Sequence, residues 1–427
     1  MTEAAARPAK IIVPWTIKRN VGLIGLTLTF TGAGMQLAYG FGPLMVQILT
    51  GSAGLAGLSV ALIGISRFLI AYPIGKVTDT FGRKFGILLG LIIALFGSLV
   101  LGSSMLLHNT LVFIVGLLVF GMGMNAAQQM RVAATDMFPS RMRAQALGYV
   151  AIGSLIGLCV MPAIIYFTDG YAKAHGYEPL ALPWFAMPLL IIPGMLLVSQ
   201  IRPDPKHIGQ NLAEYYPGQI SASAQQREKE NVRFSPIELM RRVPILLAMV
   251  ANSSGQANMS IVMVLTSLVL KHHGHTNFAI AVSHVFHAVG MFGFTVFLGM
   301  LADRFGRQIV MYSGVATALL GAVLVTFFGS YLAITIGTFL VGLGWAGGNV
   351  AATAFIADQT RTNERGRAIG LNDSFSAGAS VAAALITGPL IALWGLAAAG
   401  MAAIVVAAIP FLLLVMLQGR GYSGQNG

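Results

Sequence analysis

Long apolar runs constrain the fold of this chain more than any other feature. Only 9% of the 427 residues are charged, whereas a soluble domain has about 25%. The core of a bilayer is about 30 Å thick, and a helix needs about 20 apolar residues to cross it. Apolar runs bounded by charge, proline or glycine clusters number twelve here. The sequence therefore predicts an all-α membrane protein with twelve transmembrane helices and excludes a water-soluble fold.

The predicted helices form two groups of six, separated by one long polar stretch. The first group comprises 22–48, 55–74, 85–107, 110–130, 144–166 and 183–201. The second comprises 243–270, 277–298, 309–328, 331–354, 366–390 and 394–417. The stretch between them is rich in Gln, Ser, Glu and Arg, which is typical of a linker with room for a short surface helix. The predicted organisation is an N-terminal segment 1–21, a bundle 22–201, a linker 202–242, a second bundle 243–417 and a tail 418–427.

Basic residues set the predicted orientation. Of the 26 Lys and Arg residues, all but three fall in the linker, the two ends of the chain and the loops on the same side. The exceptions are Lys173 and Lys271 on the other side, and Arg67 inside the second helix. Because positively charged loops stay in the cytoplasm, both termini and the linker are predicted to be cytoplasmic in a multi-pass inner-membrane protein. This distribution also explains the net charge of +12 without a nucleic-acid partner.

Several kinds of chemistry are disfavoured by what the sequence lacks. Cys159 is the single cysteine, so neither an intrachain disulfide nor a thiolate metal cluster can form. No P-loop sequence occurs, which argues against ATP-driven transport by this chain alone. No nucleophile, base and orienting group stand at a recognisable catalytic spacing. We expect no enzyme activity, no cofactor and no resident metal.

A repeat at half the chain length links the two groups of helices. The pattern G-x-x-x-D-x-F-G-R occurs after the second helix and again 224 residues later, after the eighth. A second pattern, with Asp, Arg, Ala and Gly at positions 136, 143, 146 and 148, recurs at an offset of 222. Two motif pairs at nearly one offset indicate duplicated six-helix halves. The residues concerned are Gly75, Asp79, Gly82, Arg83, Asp136 and Arg143, matched by Gly299, Asp303, Gly306, Arg307, Asp358 and Arg365.

These motifs resemble those of the major facilitator superfamily of secondary transporters. The resemblance implies two six-helix bundles around a central cavity that opens alternately to each side of the membrane. It also implies that Asp79 and Asp303 gate the cytoplasmic side, supported by pairing of each motif arginine with the Asp of the second motif. The second copy departs from the family pattern at Gln308, where a basic residue is usual. The alternative interpretation is that these charges only cap helices and fix topology.

Charged and titratable residues inside the predicted helices are few. Asp373 lies well inside helix 11, on one face with Ser376 and Ser380, and is the candidate for proton coupling. Arg365 lies eight residues away, so a structural ion pair is the alternative. Arg67 lies about two helical turns inside the bilayer, either as an anion contact or extended towards the headgroups.

Two histidines and several uncharged polar clusters complete the candidate substrate cavity. His284 and His287 are spaced i, i+3 in helix 8, and without a nearby carboxylate or cysteine they make a poor metal site. In the family that this chain resembles, helices 1, 4, 7 and 10 line the cavity. Hydrogen bonds between helices, each worth about 0.6 kcal/mol, are the alternative role for polar residues on these helices. The candidates are Gln36, Tyr39, Asn125, Gln128, Gln129, Asn252, Ser253, Gln256, Asn349 and Thr353.

The resulting hypothesis is a secondary active transporter of a small organic solute, with an anion as one option, moved with or against protons. Leu117 stands where many drug–proton antiporters carry an arginine, and Pro162 lacks the surrounding antiporter element. Two alternatives stay open: export of apolar, drug-like compounds by proton antiport, and a membrane receptor or assembly factor without net transport. The expected partners are the solute, the lipid bilayer and protons, and we expect a monomer.

Overall fold

The protein is helical throughout the part of the chain that the structure describes. A computed structural model describes residues 12–139, 142–217, 235–360 and 364–418, apart from the side chains of residues 143, 144, 366, 417 and 418. No strand occurs within these ranges. Eleven spans are long and apolar enough to cross a membrane, and one bent helix pair makes a twelfth. The predicted all-α membrane fold is confirmed.

The first six spans contain two interrupted helices. We number the spans α1 to α12 in chain order. They are α1 (Trp15–Thr50), α2 (Gly57–Phe81), α3 (Arg83–Leu106), α4 (Thr110–Ala127 and Gln129–Asp136), α5 (Arg143–His175) and α6 (Leu182–Ala186 and Pro188–Ser199). The short linker helices are Pro205–Gln210, Leu212–Tyr215 and Pro236–Arg241.

The second six spans repeat this arrangement. They are α7 (Val243–His272), α8 (Asn277–Gly293 and Thr295–Phe305), α9 (Arg307–Phe327), α10 (Tyr331–Asp358), α11 (Arg365–Trp394) and α12 (Leu396–Gln418). The pairs α3–α4, α1–α5 and α2–α4 pack together in the first half. Their counterparts α9–α10, α7–α11 and α8–α10 pack in the second half. The duplication expected from the motif spacing is therefore visible in the packing.

The bundle has two ends, which we call the linker face and the far face. The linker face carries the start of α1, the loops after α2 and α8, and residues 200–217. The far face carries the loops 51–56, 176–181 and 273–276. Residues 200–217 are attached to the first half, because the Arg19 guanidinium donates to the Arg202 carbonyl at 2.7 Å. The buried Tyr216 hydroxyl likewise donates to the Met137 carbonyl at 3.2 Å, and burial raises the pKa of this phenol.

Most predicted helix ends agree with the structure within about four residues. However, α1 begins seven residues earlier than predicted, at Trp15. α2 and α8 each end seven residues later, at Phe81 and Phe305, because the polar motif residues continue the helix.

α5 was expected to end at 166 but continues to His175, beyond the apolar run. An ion pair between Lys173 and Asp169, 2.7 Å apart, supports this extra length. Gly176, at φ 72°, then ends the helix in the left-handed region.

The prediction for α4 was also too short. This span was expected to end at 130, but after an interruption at Gln128 the helix resumes and runs to Asp136. Arg131, interpreted from the sequence as a loop residue, therefore lies within the span. α8 is interrupted too, with a bend of 42° between Gly293 and Thr295.

Candidate substrate chamber

The two halves meet in close backbone contact near the far face. A methyl group added to Gly57 of α2 would lie 1.8 Å from the carbonyl oxygen of Ala384 in α11. About two turns towards the linker face, a methyl group on Gly64 would lie 2.3 Å from the Val381 side chain. At Gly57 no side chain fits against the α11 backbone, and at Gly64 the Val381 side chain already fills the space, so glycine is required at both positions for the helices to approach. This contact closes the chamber between the halves at its far end.

Hydrogen bonds reinforce the closure of the far end. The buried Ser267 hydroxyl of α7 donates to the carbonyl of Gly40 in α1 at 2.6 Å. The Asn277 amide at the start of α8 donates to the Asp169 carboxylate of α5 at 2.9 Å. Each of these bonds joins the first half of the chain to the second.

The same helices separate towards the linker face. Val60 to Ile63 of α2 are buried, whereas Arg67 and the residue after it are exposed. On α11, Ala384 is buried and Asp373 is exposed. The chamber is therefore closed at the far face and open at the linker face.

Arg67 is the electrostatic centre of the chamber. It lies three residues after Gly64 and seven after Val60, which places it on the helix face that meets α11. Its charge acts on Asp373 of the other half, and also on Tyr39 and Arg131. The structure therefore brings together three residues that the sequence singled out, on α1, α2 and α11.

Arg131 is a chamber residue that the sequence analysis missed. It lies five residues before the end of α4, half-buried, within electrostatic reach of Arg67. Its guanidinium carbon lies 5.5 Å from the centre of the Phe292 ring in α8, a cation–π contact between the halves. The repeat held a signal, because at the offset of 222 residues Arg131 corresponds to Thr353, which the sequence had placed inside the tenth helix.

The predicted polar residues of the first half have few partners. Gln36 is buried in α1, and its Oε1 atom accepts no hydrogen bond from any residue that the structure describes. The Asn125 amide donates to the Gly121 carbonyl at 2.8 Å and to the Ser66 hydroxyl at 3.3 Å, so it ties α4 to α2. Gln128 stands at the interruption of α4, half-buried like Tyr39.

The polar residues of the second half form a connected network instead. The Asn349 amide of α10 donates to Asn252 of α7 at 3.0 Å, and the Asn252 amide donates to the Ser376 hydroxyl of α11 at 2.8 Å. The Trp345 indole N–H donates to the Gln256 carbonyl oxygen at 2.7 Å. This network holds three helices together at the level of Asp373. Thr353 lies one turn beyond Asn349, half-buried.

His284 and His287 do not face the open chamber. Both are at most 1% exposed, between α7, α8 and α10. The Nδ1 atom of His284 lies 2.9 Å from the Ile280 carbonyl, and that of His287 lies 2.8 Å from the Thr338 carbonyl. A carbonyl only accepts, so each ring carries a proton on Nδ1. In this conformation His287 packs within the second half, whereas the His284 ring also packs against Gly40 of α1 in the first half. The assignment of both as solute contacts stays a prediction.

The first motif copy forms an ion-pair cluster within its own half. The Arg83 side chain contacts Asp136 at 2.8 Å and Asp79 at 3.3 Å. The Asp204 carboxylate, from the linker, accepts backbone N–H bonds from Arg83 at 3.1 Å and Lys84 at 3.0 Å. It thereby caps α3 and attaches the linker to the motif.

The second motif copy repeats the ion pairs. Arg307 contacts Asp303, and it contacts Asp358 at 3.2 Å. Asp79 and Asp303 have side chains about 70% exposed, and among the described residues their ion pairs lie within their own halves, which is consistent with an open linker face. Their role as a gate stays a prediction.

The remaining motif residues add little to the cluster. The Arg365 side chain donates to the Ala357 carbonyl at 2.9 Å. Arg143 begins α5, and its side chain lies outside the described residues. Within the described ranges, no group of three or more His, Cys, Asp or Glu residues is placed to hold a metal ion.

The fold and the chamber together define a two-bundle membrane transporter. The family model of the Major Facilitator Superfamily matches residues 24–295 and 254–426. The chain therefore belongs to the major facilitator superfamily, as the motifs indicated.

Three similar proteins are informative. The uncharacterized MFS-type transporter YdeG of Bacillus subtilis is 27% identical over 380 residues, which cover 88% of this chain and 86% of that protein. The riboflavin transporter RfnT of Brucella anthropi is 24% identical over 389 residues, with 88% and 89% covered. The inward-open xylose transporter XylE from E. coli has a TM-score of 0.68 at 14% identity, with 92% and 95% covered. This last likeness concerns the fold alone.

Proposed function

We propose that the protein is a secondary transporter for a small organic anion, which it binds between its halves and moves with protons. The linker face is the cytoplasmic face of the cell membrane, and the conformation described above is the inward-facing one. Alternate closure of the two ends carries the solute across.

The orientation is supported by the distribution of basic side chains. Lys18, Arg19, Lys84 and Lys206 lie at the linker face, and the predicted cytoplasmic segments hold most of the other Lys and Arg residues. The positive-inside rule assigns such a face to the cytoplasm.

The charge of the solute is inferred from one observation, the imbalance of ionic groups in the chamber. Arg67 and Arg131 supply two positive charges there, and Asp373 supplies one negative charge. Guanidinium groups bind carboxylate and phosphate groups in a bidentate geometry. The negative charge of an anionic solute would neutralise the excess positive charge. The amide and hydroxyl network of the second half would bind its uncharged polar groups.

Proton coupling is assigned to Asp373. This carboxylate is exposed in the open chamber, and the charge of Arg67 acts on it from the other half. Its protonation state and the occupancy of the arginines by an anion are therefore linked electrostatically. Two neighbours on the same helix, Ser376 and Ser380, hydrogen-bond to α7, which fixes the direction in which this face points.

Flux through the purified protein in liposomes tests the proposal. The probes are organic anions together with riboflavin and its phosphate ester, which share one ring system but differ in charge. We expect Arg67→Gln to lower anion uptake at least tenfold, because a charged hydrogen bond is worth about 1.5–3 kcal/mol. Lys18→Gln, which removes an exposed positive charge outside the chamber, is the matched control.

Other outcomes would point to the alternatives. Unchanged uptake of every accepted anion by the Arg67→Gln protein would disprove anion recognition. Flux of neutral amphiphiles alone would favour an exporter of apolar compounds. No flux of any probe through the pure protein would favour a receptor or assembly role.

A further inference from the structure

We propose that the chamber selects its solute by net charge, and that Asp373 sets the charge it requires. With Asp373 ionised, the accepted solute is a monoanion. This inference rests on the proposed transport of anions, and it names the charge class of the solute and a residue that determines specificity.

The first step is a count of charges in the chamber. Arg67 lies 14 residues from the linker end of α2, about 21 Å along the helix, and Asp373 lies eight residues from the start of α11, about 12 Å along it. Arg131 lies five residues, about 7.5 Å, from the end of α4, within electrostatic reach of Arg67. The other charged side chains that the structure describes on these three helices lie nearer the linker face or, like Lys76, on the side of α2 opposite Arg67. The net charge of the chamber is therefore one positive unit.

The second step concerns water. In the conformation described here Arg67 and Asp373 are exposed, so their charges are hydrated. When the linker end closes, this water is excluded and an unbalanced charge becomes unfavourable, as it is elsewhere in a membrane interior. A solute with one negative charge leaves the closed chamber neutral. A neutral solute leaves one excess positive charge, and a dianion leaves one excess negative charge.

The third step is that the other lining groups cannot change this count. Tyr39 and Gln36 are uncharged, and the second-half network consists of amides, hydroxyls and an indole. These groups orient a solute by hydrogen bonds without altering net charge. The two arginines come from the first half and the carboxylate from the second. Asp373 is thus a counter-ion for Arg67 that competes with the solute.

The test changes the charge of the chamber and measures which solute charge it prefers. The probes are succinate, which is a dianion at neutral pH, and its monomethyl ester, a monoanion of similar size. Counterflow in liposomes without a pH gradient gives the ratio of monoester uptake to succinate uptake. A loss of proton coupling does not affect this ratio. The wild-type protein should prefer the monoester by about tenfold, equivalent to about 1.4 kcal/mol. Asp373→Asn should reverse this preference.

Two further variants control for trivial causes. The double variant Arg131→Gln/Asp373→Asn again has one net positive charge and should regain the preference for the monoester, whatever its rate. Glu238→Gln removes an exposed negative charge at the linker face and should leave the ratio unchanged. A wild-type ratio in the Asp373→Asn protein, or a failure of the double variant to regain that ratio, overturns charge selection while leaving anion transport intact.

If neither probe enters with the wild-type protein, thermal stabilisation by the same two probes replaces uptake as the readout. Absence of stabilisation by both probes then overturns this inference, and only the wider anion panel decides the proposed function.

Discussion

The two ends of the chamber are held by different kinds of contact. At the far end, Gly57 and Gly64 bring α2 against α11, and Ser267 joins α7 to α1 by a buried hydrogen bond. At the linker end, the ion pairs of Arg83 and Arg307 stay within their own halves and are partly exposed. Steric fit closes one end, whereas reversible electrostatic contacts are available at the other. The far end should therefore be sensitive to added volume, and the linker end to lost charges.

The largest expected effect comes from added volume at the far end. Gly57→Ala places a methyl group against the Ala384 carbonyl and should prevent closure there, because overpacking costs about 1–3 kcal/mol or more. We expect the inward-facing population and the uptake rate to fall at least tenfold. Labelling from the linker side of the Ser253→Cys/Cys159→Ala protein measures this population. Gly370→Ala is the matched control, since its methyl group would meet no atom within 4 Å. Equal uptake by Gly57→Ala and wild type would refute the steric closure.

A smaller effect is expected at the linker end from Asp204. Its carboxylate accepts N–H bonds from Arg83, Lys84 and Lys206, so it caps both α3 and a linker helix. Asp204→Ala should lower the free energy of unfolding by about 2 kcal/mol, since one lost cap costs about 0.5–2 kcal/mol. Thermal unfolding in detergent measures the change, with Glu214→Gln as a control on the same linker. A loss of stability no greater than that of the control would contradict a capping role.

Ser267 offers a test of the hydrogen bonds at the far end. Its single hydroxyl hydrogen has three competing acceptors, the Gly40 carbonyl at 2.6 Å and, at 3.3 Å each, the Met263 carbonyl and His284 Nε2. Ser267→Ala removes the bond between the halves and should shift the equilibrium towards the outward-facing state by about 1 kcal/mol, or about fivefold. The same cysteine-labelling assay measures it. Ser313→Ala, which loses only a bond within α9, should leave the equilibrium unchanged.

The smallest effect is expected for a half-buried ion pair at the linker end. Arg242, about half exposed, contacts at 3.2 Å the carboxylate of Glu364, whose side chain is only 11% exposed. Arg242→Gln keeps an N–H donor for this carboxylate, so it should cost less than about 1 kcal/mol of stability, and the difference from wild type should shrink as salt is added. Unfolding midpoints at low and high ionic strength give this difference. A large effect that does not depend on salt would mean that the linker end is held as tightly as the far end.

The fold was predictable from the sequence because a bilayer imposes a simple length rule on apolar runs, and because two motif pairs recur at nearly the same offset. Helix ends were less predictable where polar residues extend a helix. Asp169 and Lys173 stabilise the last turns of α5 by pairing with each other, so the end of the apolar run did not mark the end of the helix.

The chamber was only partly predictable. Arg67 and Asp373 stood out because charges inside apolar runs are rare, and the structure brings them within electrostatic reach. Helical spacing identified polar faces but not the helices that cover them. It therefore could not show that His284 and His287 are enclosed between neighbouring helices. Arg131 was missed because its polar surroundings are also typical of a loop.

The double cap at Asp204 has a practical consequence for experiments that divide the chain. Residues 200–217 are bonded to the first six helices through Asp204, Arg19 and Tyr216. If the gene is split between codons 217 and 235, this segment should stay with the N-terminal fragment and complete its surface. A split before Asp204 would instead leave the start of α3 without its acceptor, so co-expressed fragments should reassemble far better from the later cut.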